Sequence, residues 1–173
     1  MLMNNKLPIT RLGKFFGQDD FDLQLRMGQE YLQGDLNMKL VLYRVDRQKT
    51  DTDDVYLETS GSDKIVFFPP VEFSGLIKID PPKNETYKEG MIRYLEPGNI
   101  TVSVYIKQLE ELKIDIRYGD YLGYPESETK MRYYTVVNDG KVVSDNKHNM
   151  FGYKPYYRTI TGSFVQDVAF RGV

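Results

Sequence analysis

The sequence contains no cysteine and no tryptophan, and His148 is the single histidine among its 173 residues. Without cysteine the chain can form no disulfide, no thiolate metal site and no cysteine nucleophile. A histidine that acts as a general base needs an orienting carboxylate and a nearby nucleophile, and an isolated loop histidine is more often solvent-exposed. These absences exclude cysteine chemistry and argue against histidine catalysis, and we expect a protein that is not an enzyme and that carries no metal or cofactor.

Long hydrophobic runs and an excess of one charge are also missing. No apolar stretch approaches the roughly 20 residues that cross a bilayer, and residues 1–14 lack the apolar core of a signal peptide. The formal net charge is −2, whereas nucleic-acid binding needs clustered, uncompensated lysine and arginine. We therefore expect no membrane partner, and a protein that stays in the cytoplasm where it is made or is assembled there into something larger.

The residues that are present favour β structure. Hydrophobic residues make up 40% of the chain and charged residues 28%, and 14 glycines and 8 prolines accompany few helix-periodic segments. We predict a mainly β protein, a small β-barrel or sandwich with long loops and at most one or two short helices. An extended arm over residues 1–18 would precede a single β-rich domain over residues 19–173, with long loops at about 46–64, 80–99 and 144–157.

Two segments carry the clearest strand signals. Residues 100–106 alternate apolar and polar side chains, and residues 114–137 show two such runs around a charged turn at 126–130, which predicts a hairpin. Further strands are expected at 35–45, 71–79 and 158–168, and a second hairpin between 55–58 and 64–68. We also expect a short helical turn or loop at 28–34, a helical turn at 107–113, and a polar loop at 83–98 that is functional or docked against another part.

Residues 21–27 support two interpretations. Their apolar side chains alternate with polar ones, as in a half-buried strand. Phe21, Leu25 and Leu32, however, also lie near one face of a helix, with an aspartate before them as a possible cap. We favour the strand.

The carboxylates offer two weak functional signals. Asp51, Asp53 and Asp54 lie in an acidic loop that could bind calcium, but the loop lacks the glycine and the terminal glutamate of a calcium-binding loop. Solvated charge runs are the more common outcome. Glu110 and Asp115 could serve a hydrolase as paired carboxylates, but nothing in the sequence places them in one desolvated cleft.

A tyrosine-rich segment near the end of the chain is the more informative candidate. Tyr153, Tyr156, Tyr157 and Arg158 form an aromatic and basic patch that either closes the core or contacts another subunit. The three tyrosines could instead be a stacking platform for a carbohydrate, which would make the protein a ligand-binding module.

Five sequence segments, taken in their order along the chain, resemble those of one protein family. They are LYRVD (42–46), VYLE (55–58), FFPPVE (67–72), YGDY (118–121) and YYTVVND (133–139). In wording and in order they are similar to structural neck proteins of tailed bacteriophages, the head-closure or head-to-tail connector class. The resemblance covers roughly residues 36–139.

The resemblance implies a virion protein that forms an oligomeric ring between the portal or adaptor and the tail, around a channel through which DNA passes. Tail-terminator and baseplate proteins share small β cores and are the alternatives within the same class. In such a ring we expect subunit contacts at Phe15, Phe16, Tyr87, Tyr94, Tyr153, Tyr156, Tyr157 and Arg158. Acidic channel-facing residues would let DNA slide rather than stick, and the candidates are Asp51, Asp53, Asp54, Glu126 and Glu128.

Overall fold

The computed structural model describes residues 17–50, 65–81, 83–86, 93–96, 98–141 and 156–165, and these residues form a mainly β protein. The helices are α1 (Gln18–Glu30), continued by a π-helical turn (Tyr31–Leu36), and α2 (Ile106–Glu111). The strands are β1 (Lys39–Tyr43), β2 (Val71–Ser74), β3 (Leu76–Ile79), β4 (Lys83–Thr86), β5 (Arg93–Glu96), β6 (Ile100–Tyr105), β7 (Tyr121–Pro125), β8 (Met131–Asn138) and β9 (Tyr157–Val165).

Seven strands form one antiparallel sheet in the order β2-β1-β7-β8-β9-β6-β3, and β4 pairs with β5 in a separate hairpin. β2 and β3 lie at opposite edges of that sheet, although only Gly75 separates them in sequence. A flat sheet would hold these edges about 29 Å apart, at about 4.8 Å per strand interval. Ser74 and Leu76 can be at most about 7 Å apart. The sheet therefore curls until its edges meet at Gly75, without closing into a barrel.

The inner face of the curled sheet holds the hydrophobic core. Alternate residues of each strand point inward, as the two-residue period requires, and α2 with the segment after it adds three more side chains. The buried core residues are Leu40, Leu42, Phe73, Ile100, Val102, Val104, Leu109, Ile114, Ile116, Leu122, Tyr134, Val136 and Ile160. Burying one such side chain contributes about 1.5–3 kcal/mol, so this cluster dominates the stability of the sheet.

Helix α2 also covers the backbone of the β2 edge. Gln108 is buried, and its amide, oriented to satisfy both partners, donates to the Ser74 carbonyl at 2.7 Å and accepts from the Ser74 N–H at 2.9 Å. A side-chain amide thereby replaces the missing strand at this point, which keeps polar backbone groups paired beside the core.

The outer face of β6 and β9 carries α1. Phe21 and Leu25 are buried, and they pack against Tyr105 and Tyr156. The buried residues recur every four positions, as expected for one face of a helix. Helix α1 therefore forms a second layer on the opposite side of the sheet from the main core.

Local interactions define both ends of this helix. At the start, the Gly17 N–H donates to the Asp20 carboxylate at 2.8 Å, and acidic residues in the first turn favour the helix dipole. At the end, Asn37 adopts a left-handed conformation (φ 43°), and its N–H donates to the Leu32 carbonyl at 3.1 Å. Asparagine tolerates that conformation, which terminates the helix.

Several predicted elements are confirmed. The strand at 100–106 is β6, the hairpin around 126–130 is formed by β7 and β8, and the helical turn at 107–113 is α2. The strand expected at 158–168 is β9, and the one expected at 35–45 is confirmed over Lys39–Tyr43 as β1, whereas Asp35 and Leu36 belong to the π-helical turn.

Other predictions are wrong. Residues 21–27 are helical, because the helix buries Phe21 and Leu25 together and leaves the intervening apolar residues outside. The strand predicted at 71–79 is broken at Gly75, and residues 83–96 contain a strand pair rather than only a loop. The barrel alternative fails because the edge strands do not pair.

The second predicted hairpin is only partly described. Residues 65–68 run beside residues 44–46, where the Asp46 N–H donates to the Val66 carbonyl at 2.8 Å and Val45 bridges to Phe67. The expected partner, 55–58, lies outside the described residues.

Candidate functional site

Helix α1 exposes a line of large apolar side chains. Leu23, Met27 and Tyr31 are 52%, 61% and 52% exposed, and they are spaced four residues apart on the side away from the buried face. Residues at this spacing lie next to one another along a helix. We call these three residues the α1 stripe. Single exposed apolar residues are ordinary, but a contiguous set marks a surface that binds another molecule.

The stripe leads into an aromatic groove between the end of α1 and the outer face of the sheet. Its lining residues are Tyr31, Leu32, Leu76, Ser103, Val104, Tyr105, Tyr156 and Tyr157. The groove has a volume of about 280 Å³, just below the range of about 300–1,000 Å³ that is typical of small-molecule sites. Tyr31 belongs to both features, so the stripe and the groove form one continuous apolar surface.

Strand pairing and ring contacts fix the tyrosines of the groove. Tyr105 and Tyr157 face each other across β6 and β9. Tyr156 lies against both, with ring centroids 6.1 Å from Tyr105 and 4.7 Å from Tyr157, the latter edge to face at 77°. Burial raises the pKa of Tyr105 and of Tyr156, and the neighbouring Tyr157 adds to the effect. Both hydroxyls are therefore neutral at physiological pH.

Helix α1 can lie this close to the sheet because Gly28 faces Tyr105. A Cβ at this position would overlap the Tyr105 hydroxyl. The glycine thus leaves room for the tyrosine beneath the helix.

Edge strand β3 supplies the other wall. Leu76 is 53% exposed and lies in the groove, while β3 pairs with β6 alone among the described strands. An edge strand with an exposed apolar residue is a common site of contact with another chain.

Arg158 does not belong to this surface, contrary to the prediction. Successive residues of a strand point to opposite faces, so Tyr157 faces the groove and Arg158 faces inward. Arg158 is buried, and its guanidinium donates to the Ile116 carbonyl at 3.2 Å and to Asp115 at 3.4 Å. The arginine is part of the fold and offers no exposed charge beside the tyrosines.

Asp115 also binds two further cationic side chains beside Arg158. Its carboxylate accepts from Lys141 Nζ at 2.8 Å and from Arg117 Nε at 3.3 Å, in addition to Arg158. Burial alone would raise the pKa of Asp115, but the hydrogen bonds and the three positive charges outweigh it and hold the pKa below its ordinary value. A carboxylate that is bound by three cations and kept ionised acts as a structural group rather than as a general acid.

The predicted acidic residues of the β7–β8 turn differ from one another. Glu126 forms ion pairs with Arg132 and with Lys130, the latter at 3.2 Å. The hydrogen bond from Arg132, together with the one from Lys130, lowers the pKa of Glu126 below its ordinary value. Glu128 is exposed at the tip of the same turn. Among the residues that the structure describes, Glu128 takes part in neither of the ion pairs that compensate the charge of Glu126.

The remaining candidates lie largely outside the described residues. This holds for Phe15, Phe16, Asp51, Asp53, Asp54, Tyr87, His148 and Tyr153. Tyr94 lies in β5, where its backbone is opposite Glu85 of β4. Among the residues that the structure describes, no group of three or more histidines or carboxylates is placed to hold a metal ion.

Sequence reasoning found only Tyr156 and Tyr157 of this apolar surface and missed the rest, including Leu23, Met27, Tyr31, Leu76 and Tyr105. A signal for the first two was present. Leu23 and Met27 are apolar but out of phase with the helical face of Phe21 and Leu25. Apolar residues on the wrong face of an amphipathic helix indicate a second buried face, which another molecule would supply.

No protein-family model, curated protein or solved structure matches this chain. Within the described part of the chain, none of the helices has the length and apolar character to cross a membrane.

Proposed function

We propose that this protein is a virion structural protein of a tailed phage and forms an oligomeric ring in the neck, between the portal or adaptor and the tail. The observation that carries the proposal is the continuous apolar surface formed by the α1 stripe and the aromatic groove. The family is suggested by the resemblance of five ordered sequence segments. The apolar surface supports the assembly part of the proposal, because a subunit of a ring must bury one face against its neighbour.

The energetics favour association through this face. Each large apolar side chain that moves from water into an interface contributes about 1.5–3 kcal/mol, and tyrosines are enriched at the centres of interfaces. In a ring the contact is heterologous, so this surface would pack on a different surface of the next subunit. That arrangement needs no symmetry within the groove itself.

DNA can pass through the ring only if the residues that line the channel do not bind its phosphates tightly. A lining of acidic or mixed charge satisfies this condition. Glu128 and the acidic loop with Asp51, Asp53 and Asp54 keep that role in the proposal. Glu126 contributes less, since Arg132 and Lys130 compensate its charge.

The alternatives have less support from the geometry. A carbohydrate platform needs open aromatic faces, whereas Tyr156 and Tyr157 meet edge to face and Tyr156 packs under α1. A hydrolase that used Glu110 and Asp115 would need both carboxylates available to the substrate, whereas the Asp115 carboxylate is bound by Lys141, Arg117 and Arg158. Tail-terminator and baseplate proteins would use the same kind of apolar surface and differ only in their position in the virion.

Light scattering and negative-stain microscopy of the purified protein test the proposal, first alone and then mixed with the portal and adaptor proteins of the same virus. We expect a ring with a central hole, or recruitment to the portal ring. A monodisperse monomer that ignores both partners would contradict the proposal. The same preparation titrated with glycans, with tyrosine fluorescence as the readout, checks the carbohydrate alternative.

A further inference from the structure

We propose that the α1 stripe of one copy packs on an exposed aromatic and cationic patch of the next copy, at the end of β1 and the start of β7. This inference rests on the proposed ring and names the second surface that a heterologous contact needs. Three observations support it: the composition of the patch, the charges of the two surfaces, and their positions around the sheet.

The patch combines three exposed apolar side chains, Val66, Phe68 and Tyr118, with two arginines from the segment that follows β1. The Phe68 N–H donates to the Arg44 carbonyl at 2.9 Å, and the Arg44 guanidinium lies 5.2 Å from the centre of the Phe68 ring. The Arg47 guanidinium donates to the Tyr118 carbonyl. We call these five residues the β1–β7 patch.

The patch and the stripe of one chain lie on opposite sides of the subunit. Helix α1 is fixed to the outer face of β6 and β9 through Phe21 and Leu25, and the stripe points away from that contact. Strand β1 is three strand intervals from β9 and four from β6 in the seven-stranded sheet. Because the sheet curls until its edges meet, three or four intervals are about half a turn. The stripe can therefore reach the patch of another copy but not its own.

This placement suits a ring. A heterologous contact joins two different surfaces of the same chain, and it repeats from copy to copy when these surfaces lie on opposite sides. Each subunit would offer its stripe to one neighbour and its patch to the other. Both surfaces would then be buried in every copy of a closed ring.

The charges of the two surfaces are complementary. Asp19, Asp20 and Glu30 are exposed within one turn of the stripe, against a single cation, Arg26. The patch presents two arginines, and Asp120, which interacts with both of their charges, is buried behind them. Opposite charges on two surfaces steer association and fix its orientation, so the acidic helix would be drawn to the cationic patch.

The side chains of the two surfaces also suit each other. Met27 brings a thioether, which makes favourable contacts with aromatic rings such as those of Phe68 and Tyr118. Aromatic residues, methionine and arginine are the side chains that are enriched in protein interfaces. The stripe and the patch together contain all three kinds.

A mixing experiment with two double variants, each lacking one surface, tests this contact. The stripe variant is Leu23→Gln/Met27→Gln, and the patch variant is Phe68→Gln/Tyr118→Gln. Each is measured by light scattering under the conditions in which the wild type assembles, alone or with the portal and adaptor proteins. The stripe variant keeps an intact patch and the patch variant keeps an intact stripe. Their mixture should therefore form one contact and stop at a heterodimer.

We expect each variant alone to be monomeric and to self-associate on the order of a hundredfold more weakly than the wild type, because two large apolar side chains leave the contact. Leu112→Gln is the control, since this exposed residue at the end of α2 belongs to neither surface. It should assemble like the wild type. Circular dichroism checks the fold, and Arg47→Glu, a change at an exposed position, is the second patch variant if the first does not fold.

A patch variant that assembles like the wild type would overturn the inference. Two monomeric variants that stay monomeric when mixed would overturn it as well, because the stripe and the patch would then contact other surfaces. In both cases rings of the wild type leave the proposed function standing. A wild type that stays monomeric alone and with the portal and adaptor proteins would reject the ring and this contact together.

Discussion

Asp115 binds three cations, two of which come from distant parts of the chain. Arg117 is a near neighbour, but Lys141 and Arg158 reach it from the turn after β8 and from β9. Arg158 is the important partner because its side chain is only 10% exposed. A buried guanidinium without a compensating charge is costly, so the carboxylate at the rim of the core stabilises the arginine inside it.

We predict that Asp115→Asn lowers the free energy of unfolding by about 1 kcal/mol at neutral pH, since solvent screens a carboxylate that is 44% exposed. The folded-state pKa lies below the ordinary value of 3.8. The stabilisation is therefore complete above the unfolded pKa and is lost as the pH falls through the folded pKa. Denaturant unfolding at several pH values should show the difference between variant and wild type shrinking below about pH 3.8.

Asp80→Asn is the matched control. Its carboxylate is also 44% exposed and pairs with Lys78 at 3.3 Å, but that lysine is 77% exposed. The loss should be close to zero, because an exposed lysine is solvated without its partner. Equal losses for both variants would show that the burial of Arg158 does not matter.

At this scale the sequence predicts little. Arg158 reads as part of the tyrosine patch until strand alternation assigns it to the opposite face from Tyr157. Its partner Asp115 lies 43 residues away, and no local pattern links two charges at that separation. Only the fold of the sheet brings them together.

Among the elements, α1 explains why a periodicity argument can fail. Phe21 and Leu25 satisfy a helix, whereas adding Leu23 and Met27 produces the alternation of a strand. The structure resolves the conflict by leaving the second pair exposed. Local rules tend to be broken at functional positions, which agrees with the proposal that these two residues lie in an interface.

We predict that Leu23→Gln with Met27→Gln weakens self-association without loss of the fold. Both positions are exposed and glutamine is a good helix former, so the free energy of unfolding of the subunit should change by no more than about 0.5 kcal/mol. Light scattering across a concentration series should show the oligomer dissociating at higher protein concentration. The control is Arg26→Gln on the same helix. An unchanged oligomer in the double variant would remove the α1 stripe from the interface.

The strands were easier to predict than the helix. β6 and the β7–β8 hairpin bury one face each, so apolar and polar residues alternate in their sequences with the two-residue period of a strand. The break at Gly75 was not predicted, because residues 71–79, in which Glu72, Ser74 and Lys78 stand among apolar residues, were interpreted as one strand. The break depends on the curl of the whole sheet, which places β2 and β3 at opposite edges.

At the scale of the whole molecule, Gly75 is the point where the two edges of the sheet meet. The Gly75 N–H donates to the Met38 carbonyl at 3.3 Å, which ties this corner to the start of β1. A Cβ here would lie 2.8 Å from Val102 Cγ1 and 3.2 Å from the Ser103 carbonyl oxygen. The corner is therefore packed directly against β6 of the core.

We predict that Gly75→Ala lowers the free energy of unfolding by about 1–3 kcal/mol, the usual cost of overpacking. Gly34→Ala is the control, since a Cβ there meets nothing within 4 Å and alanine favours the helical turn. That variant should be neutral or slightly stabilised. Thermal or denaturant unfolding measures both, and a neutral Gly75→Ala would mean that the sheet can relax at this corner.

The mainly β class followed from composition and strand period, but the assembly did not. The resemblance to neck proteins suggested a ring, and the surface that could build it came from residues such as Leu23, Met27 and Leu76, whose exposure depends on packing. Exposure is a property of the folded molecule, which is why the sequence pointed to the segment around Tyr156 and Tyr157 and not to the helix that borders it.

The position of the protein in the virion tests the central claim most directly. Gold-labelled antibodies against the purified protein, bound to particles of the virus that encodes it, can be located by electron microscopy. We predict label at the junction between head and tail. Label at the tail tip would favour a baseplate component, and absence of label from particles whose neck is accessible would contradict a structural role in the virion.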